Sequence, residues 1–114
     1  MPRLRARHLK HRIDITRLTG EGAEGDLFAD PVTDRPAYVE QKTRLVVDRR
    51  TGSDTIGQQI ISTTFVVVLL GDEAEPRDVV TVWKGTPRER TSQVIDSAWF
   101  EYAGAPSHVE LYLE

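Results

Sequence analysis

The sequence predicts an all-β protein, a small antiparallel β-barrel of five to six strands with a long projecting loop or hairpin. Its 114 residues suit one domain, which we take to span residues 1–114. Alternation of apolar and polar residues with a period of two dominates the chain, and sustained helical periodicity is scarce. Short segments rich in Gly, Pro and Asp separate the alternating stretches. Several short strands joined by such turns are typical of small barrels and sandwiches.

Five stretches carry the strand signal, namely residues 11–17, 60–70, 79–83, 92–102 and 108–113. The first alternates Ile13 and Ile15 with polar residues, and the last alternates Val109, Leu111 and Leu113 in the same way. The most apolar stretch is the second, whose threonines and valines favour a strand over a helix. We therefore expect a long central strand there, buried on much of both faces.

The predicted core draws on the apolar and aromatic residues of these strands. Aromatic rings within β-branched strands supply the bulk that a barrel interior needs, so burial is favoured over a role as stacking platforms for single-stranded nucleic acid. The four rings in question are Phe65, Trp83, Trp99 and Phe100. The residues expected in the core are Phe65, Val67, Val80, Val82, Phe100, Val109 and Leu111.

Two connecting segments differ from simple turns. Residues 20–31, rich in Gly and Asp, are predicted to form a loop. Residues 42–59 leave two alternatives, a hairpin in which Leu45–Val47 pairs with residues 55–59, or a single long loop. A loop of that length in a small domain is usually functional. Because this segment is basic and the protein carries a net charge of −3, it is the strongest physical indication of a site.

Charge is segregated along the chain. Residues 1–19 contain six basic groups and one acid, whereas the next fifteen residues contain five acids and no base. Residues 91–114 contain four acids and neither Lys nor Arg. Such blocks can form patches of opposite sign that meet across subunits or face an anionic polymer, although each block alone also fits a solvated loop.

We find no catalytic, metal-binding or cofactor-binding pattern in the sequence. Residues 20–25 fit the expression G-x-G-x-x-G, but no helix is predicted after them, and Glu21, Glu24 and the following Asp26 would repel a pyrophosphate. Asp96, Ser107 and His108 lack the context of a nucleophile elbow. The absence of Cys excludes disulfides and thiolate metal sites. We therefore expect a protein that is not an enzyme and holds neither cofactor nor metal.

A series of short motifs follows along nearly the whole chain. They are His11-Arg12-Ile13-Asp14-Ile15, Gly20-x-Gly22-Ala23-x-Gly25-Asp26-Leu27-Phe28-Ala29-x-Pro31-Val32, Arg44-Leu45-Val46-x-Asp48, Thr51-Gly52, Ile61-Ser62-Thr63-Thr64 and Pro106-x-His108-Val109-Glu110-Leu111. In order and spacing, these motifs resemble the head-to-tail stopper proteins (head-completion or head-closure proteins) of long-tailed bacteriophages, particularly those of actinobacterial hosts. The resemblance extends from about residue 11 to residue 113. The chain departs from the family pattern in its neutral stretch 102–107 and its acidic stretch 70–78.

The resemblance implies a structural connector protein of the virion, assembled in the host cytoplasm. Proteins of this family form a dodecameric ring beneath the portal and adaptor rings, close the channel after DNA packaging and dock the tail. The implied partners are further copies of this chain, the adaptor protein next to the portal, the tail terminator and tail tube proteins, and packaged double-stranded DNA. No membrane is implied, since the longest apolar run, Phe65–Leu70, is too short to span one.

The resemblance also suggests which residues form the site. A long loop in this family projects into the lumen and obstructs DNA exit, and residues 42–59 match it best. The DNA-facing residues expected on it are Lys42, Arg44, Arg49 and Arg50. Contacts between subunits are expected at Arg12, Arg17, Asp26, Phe28, Glu101 and Glu110. Two other functions remain open, an adjacent tail terminator or tail-completion protein and a monomeric oligonucleotide-binding β-barrel.

Overall fold

A computed structural model describes residues 9–22, 25–100 and 107–114. Within these ranges lie eight strands: β1 (His11–Thr16), β2 (Leu18–Gly22), β3 (Gly25–Phe28), β4 (Val32–Val47), β5 (Gln59–Val68), β6 (Val79–Val82), β7 (Arg90–Phe100) and β8 (His108–Leu113). None of the described residues belongs to a helix long and apolar enough to cross a membrane.

Six of the strands close into an antiparallel barrel in the order β1-β4-β5-β8-β7-β6. The ring closes where β6 pairs with β1, with Thr81 opposite Asp14 and Val79 opposite Thr16. Closure leaves none of these strands with an open edge along its paired length. The predicted all-β class and barrel architecture are confirmed. The five predicted strands are all present, each bounded within two residues of its expected limits in the described part.

The barrel interior differs from the expected core in β5 and β7. β5 turns Val66 and Val68 inward, so Phe65 and Val67 lie on the outer face and are only partly buried. The expectation that both faces of this strand are buried is therefore wrong, and so is the placement of Phe65 and Val67 in the core. Phe100 is also only partly buried, near the end of β7. The confirmed core residues are Val80, Val82, Val109 and Leu111.

β4 is the longest strand, and only its last residues were expected. Its first half holds Pro36 and charged residues, which do not alternate cleanly with apolar ones. Opposite Ile13 and Ile15 the register shifts at a bulge, where Asp34 adopts a positive φ of 55°. The backbone N–H of Asp34 donates to Asp14 Oδ1 at 3.1 Å, so the bulge is stabilised by a side chain of the neighbouring strand.

The predicted loop at residues 20–31 is mostly a hairpin. β2 and β3 pair with each other antiparallel and form a separate two-stranded sheet. Gly25 opens β3 with a φ of 122°, a conformation that residues with a Cβ rarely adopt. Among the described residues, the contacts that attach this hairpin to the barrel include the Leu18 N–H to Asp78 Oδ1 at 2.7 Å, Arg77 to Asp26 at 2.7 Å, and Arg17 to the Glu73 carbonyl at 2.9 Å. The acidic connection between β5 and β6 therefore holds the hairpin in place.

Residues 42–59 form a hairpin rather than a loop. Leu45 lies opposite Ile61 and Val47 opposite Gln59, while residues 48–58 make the turn. A register shift between Gln41 and Arg44 separates this paired segment from the part of β4 that lies within the barrel. We call residues 44–62 the ribbon, since they continue β4 and β5 beyond the pairing of β5 with β8, which ends at Thr64.

The core assignment predicts a large difference between two leucines. Leu111 is fully buried and Leu45 is 62% exposed. Leu111→Ala should lower the free energy of unfolding by about 2–5 kcal/mol, because it removes buried methyl groups and leaves a cavity. The same change at Leu45 should alter it by less than about 0.5 kcal/mol. Urea unfolding of both variants measures this, and similar losses in the two would contradict the assignment.

Candidate functional site

A buried carboxylate, Asp48, organises the turn of the ribbon. Its Oδ1 accepts hydrogen bonds from the backbone N and the Nε of Arg50, at 2.9 and 3.0 Å. Its Oδ2 accepts from Arg50 Nη2 at 3.1 Å, from the Ser53 hydroxyl at 2.7 Å and from the Thr55 hydroxyl. Asp48 is fully buried. Five donors thus satisfy this one carboxylate, which is how a buried charge is made tolerable.

Arg50 connects this turn to the barrel. Its Nη1 donates to Gln93 Oε1 in β7 at 2.9 Å and to Glu114 Oε1, just after β8, at 3.1 Å. Beside it, the backbone N–H of Arg49 donates to the Ile95 carbonyl at 3.0 Å. The ribbon is therefore fixed to β7 and to the end of β8 through both side chains and backbone.

The burial of Arg50 corrects one predicted site residue. Arg50 is only 6% exposed and is bound to Asp48, Gln93 and Glu114, so it is not available to face DNA. The expectation was wrong for this residue because its charge is neutralised by a carboxylate two positions earlier. Lys42, Arg44 and Arg49, in contrast, are exposed. Residues 42–59 thus keep three of the four expected cations exposed, and two of them, Arg44 and Arg49, lie on the ribbon.

A cleft of about 300 Å³ brings basic residues from β1 next to the connection between β6 and β7. Lys10, Arg12 and Lys84 line it together with Asp34 and Trp83. Lys84 forms an ion pair with Asp14 at 2.7 Å, and this hydrogen bond raises the pKa of Lys84. Trp83 packs partly against the core at a φ of 51°, uncommon for a residue with a side chain, so the local backbone is held by its surroundings.

Further cations continue from this cleft to the ribbon. Arg88 lies over the Trp83 ring, 4.1 Å from its centroid, and donates to Gln41 in β4 at 3.1 Å. Arg90 donates to the Thr63 hydroxyl in β5 at 3.0 Å. Two more cations lie over rings on the outer face of β5 and β8, Lys42 over Phe65 at 5.7 Å and Arg44 over Tyr112 at 5.0 Å.

We call these seven exposed cations the basic band: Lys10, Arg12, Lys42, Arg44, Lys84, Arg88 and Arg90. They come from three stretches of sequence that barrel closure brings together. The first two stretches are visibly basic in the sequence, whereas the third is not. There Lys84, Arg88 and Arg90 alternate with neutral residues and Glu89, so no block of charge was visible. A surface with this concentration of positive charge attracts polyanions.

Most of the aromatic side chains predicted to fill the core lie on the outer surface of the barrel. Phe65 and Tyr112 contact each other outside the barrel, with ring centroids 5.7 Å apart. Phe100 stacks on His108 at 4.9 Å, and Trp99 is 45% exposed. The expectation that Phe65, Phe100 and Trp99 fill the interior is wrong, because valine, leucine and isoleucine already occupy that space.

The residues expected to contact other subunits differ in their surroundings. Arg17 and Asp26 bind residues of the same chain, and Glu110 accepts from the Tyr112 hydroxyl at 2.9 Å and lies 3.1 Å from His108 Nε2. Burial, assisted by Glu110, raises the pKa of Tyr112 to about 12. Phe28 and Arg12 are exposed, and Glu101 lies outside the described residues. The subunit contacts stay a prediction.

Comparison of the chain with protein-family models, with curated proteins and with solved structures finds no match. Within residues 9–22, 25–100 and 107–114, no group of three or more His, Cys, Asp or Glu side chains is arranged to hold a metal ion.

The Asp48 network makes the stability of the protein dependent on pH. Hydrogen bonds from Arg50, opposed by burial and assisted by Thr55 and Ser53, hold the pKa of Asp48 well below its ordinary value of 3.8. A carboxyl with a lowered pKa stabilises the folded state fully above its unfolded pKa, and this contribution is lost as the pH falls below about 4. Asp48→Asn should lower the free energy of unfolding at pH 7 by about 3 kcal/mol, since Arg50 loses its buried partner.

The difference between wild type and Asp48→Asn should become smaller as the pH is lowered from 5 to 2, measured by chemical denaturation at each pH. Asp54→Asn, in the same turn but exposed, is the matched control and should change stability by less than about 0.5 kcal/mol. A constant difference between wild type and Asp48→Asn across this range would show that the carboxylate does not stabilise the turn.

Proposed function

We propose that this protein is a ring-forming structural subunit of a phage virion, which closes the portal channel after DNA packaging and docks the tail to the head. The observation that carries the proposal is the basic band. On a chain with a net charge of −3, seven exposed cations from three stretches lie along one connected surface, and of these Lys84 is paired with Asp14. A protein that contacts packaged DNA without binding its sequence needs positive charge placed for phosphates and no pocket for bases.

The ribbon supports the same proposal because its turn is fixed to the barrel. A two-stranded extension that stays in place against DNA under pressure needs an anchor at its far end. The Asp48–Arg50 pair supplies this anchor through Gln93 and Glu114. Arg44 and Arg49 remain on the surface of the anchored ribbon, and Lys42 is exposed just before it. Each contact to phosphate is weak and sensitive to salt, but a ring repeats it in every subunit.

The main alternative is a monomeric oligonucleotide-binding barrel, which the exposed Trp99 and the outer ring pair of Phe65 and Tyr112 favour. Stacking on bases requires open ring faces. Lys42 and Arg44 of the same chain lie over the faces of Phe65 and Tyr112. The surface is therefore better suited to phosphates than to bases.

A tail terminator shares the ring architecture, and a gene placed immediately downstream of portal, capsid and adaptor genes would favour the stopper over it.

A DNA-binding measurement distinguishes binding to phosphates from stacking on bases. We expect the purified protein to bind a duplex of about 20 base pairs with a Kd of about 10⁻⁴–10⁻⁶ M at physiological salt, and a single strand no more tightly. The triple variant Lys42→Gln, Arg44→Gln, Arg88→Gln should bind more weakly at every salt concentration. The slope of log K against log salt should become shallower by about 3, one for each lost contact. Fluorescence anisotropy at 50–200 mM salt measures both quantities.

The matched control keeps the charges and changes only the shape of the side chains. Arg44→Lys with Arg88→Lys should retain the salt slope, because a phosphate contact depends mainly on charge. A single strand bound at least tenfold more tightly than the duplex, with a slope that the triple variant does not change, would contradict the proposal and favour the oligonucleotide-binding barrel.

A further inference from the structure

The β2–β3 hairpin presents exposed apolar side chains in an acidic setting. Leu27 is 54% exposed and Phe28 42%, and Val32, at the start of β4, is 39% exposed. Residues 20–34 contain five acids and no base, and among them Asp30 is exposed. Isolated two-stranded sheets are marginally stable in water, and this one pairs with no further strand within the described residues. The hairpin therefore has apolar surface and open strand edges that a partner would cover.

The ribbon presents exposed apolar side chains in a basic setting. Leu45 and Ile61 lie directly opposite each other and are 62% and 57% exposed. Ile56, in the turn, is 50% exposed. Exposed Lys42 and Arg44 precede Leu45 in β4. Large apolar residues paired on one face and bordered by charge are typical of a protein-binding surface.

The two surfaces are complementary but do not cover each other within one chain. Leu27 and Phe28 remain exposed, and so do Leu45 and Ile61. Asp26 is bound to Arg77, which holds the hairpin against the connection between β5 and β6. The acidic apolar surface of one molecule therefore remains free to meet the basic apolar surface of another.

We propose that the β2–β3 hairpin of one copy of this chain docks on the ribbon of a second copy, an inference that rests on the proposed ring-forming function and names its subunit interface. Opposite charge selects a second copy over an unrelated partner, because both halves of the contact are present on the same chain. Contact between two different surfaces is heterologous, so it repeats from copy to copy and closes into a ring when the rotation allows.

Cysteine cross-linking tests this contact, because the chain contains no Cys and each variant carries a single thiol. Leu27→Cys and Ile61→Cys are prepared as separate proteins, one with a tag that changes its size, and are mixed at about 100 μM with a short bismaleimide. The mixed product should exceed the product of either variant with itself at least tenfold. Thr91→Cys, exposed in β7 and outside both surfaces, is the matched control and should give only background product with Ile61→Cys.

Charge reversal in the same assay tests the complementarity itself. Asp30→Lys in the Leu27→Cys copy should reduce the mixed product severalfold, and so should Arg44→Glu in the Ile61→Cys copy. Combining the two reversed copies should restore it. All variants lie at exposed positions, and circular dichroism with the unfolding midpoint verifies their folding. Equal yields for all pairs, a dominant product of Ile61→Cys with itself, or reversal without rescue would each overturn the proposed interface.

This assay uses purified protein without DNA or virions, so its failure is distinct from failure of the proposed function. Loss of the mixed product in a protein that still occupies the head–tail junction would overturn only this interface. A strong mixed product in a protein absent from virions would overturn the connector function and leave the self-association standing.

Discussion

The carboxylate of Asp48 meets the guanidinium of Arg50 where the ribbon reaches β7 and the end of β8. Removing two charges from water is costly, and their attraction repays this only when the remaining donors and acceptors are satisfied. Here the hydroxyls of Ser53 and Thr55 donate further hydrogen bonds to the carboxylate. The guanidinium donates further hydrogen bonds to Gln93 and Glu114. The pair therefore specifies one position of the ribbon on the barrel, and the surfaces that the ribbon carries depend on it.

Barrel closure determines the other surface. β1, the β6–β7 connection and the second half of β4 are far apart in sequence, yet the cleft at Trp83 and the contact between Arg88 and Gln41 join them. Their cations form one band, whereas the β2–β3 hairpin collects acids and exposed apolar groups. In the proposed ring, the basic band would face DNA, and the ribbon and the β2–β3 hairpin would join neighbouring copies, with Lys42 and Arg44 lying where the band meets the ribbon.

The sequence predicts the fold class because alternation with a period of two is strong in β1 and β8, where Ile13, Ile15, Val109 and Leu111 mark the inner face. It does not predict the inner face of β5. Residues 65–70 are apolar at every position, so only pairing with β4 and β8 selects Val66 over Phe65. Most of β4 is not predicted, because its charged residues and Pro36 interrupt the alternation of apolar and polar residues. The strand forms because it pairs with its neighbours in the barrel.

At the candidate site, the sequence likewise does not show which charged residues are exposed and which are buried. The sequence identifies residues 42–59 as a basic segment, but it does not show that Arg49 is exposed and Arg50 is buried. Their different exposure depends on Gln93 and Glu114, more than forty positions away, and on the carboxylate of Asp48. The third part of the basic band, at residues 84–90, becomes visible only when the barrel places it beside β1 and β4.

Electron cryomicroscopy of the head–tail junction, in virions where this chain carries an epitope tag, tests the connector function most directly. We predict a closed ring of identical six-stranded barrels between the portal–adaptor assembly and the tail. In that ring the basic band faces the channel, and the ribbon of each copy contacts the β2–β3 hairpin of the next. Virions whose junction lacks the tag, or a ring whose basic band faces away from the channel, would contradict it.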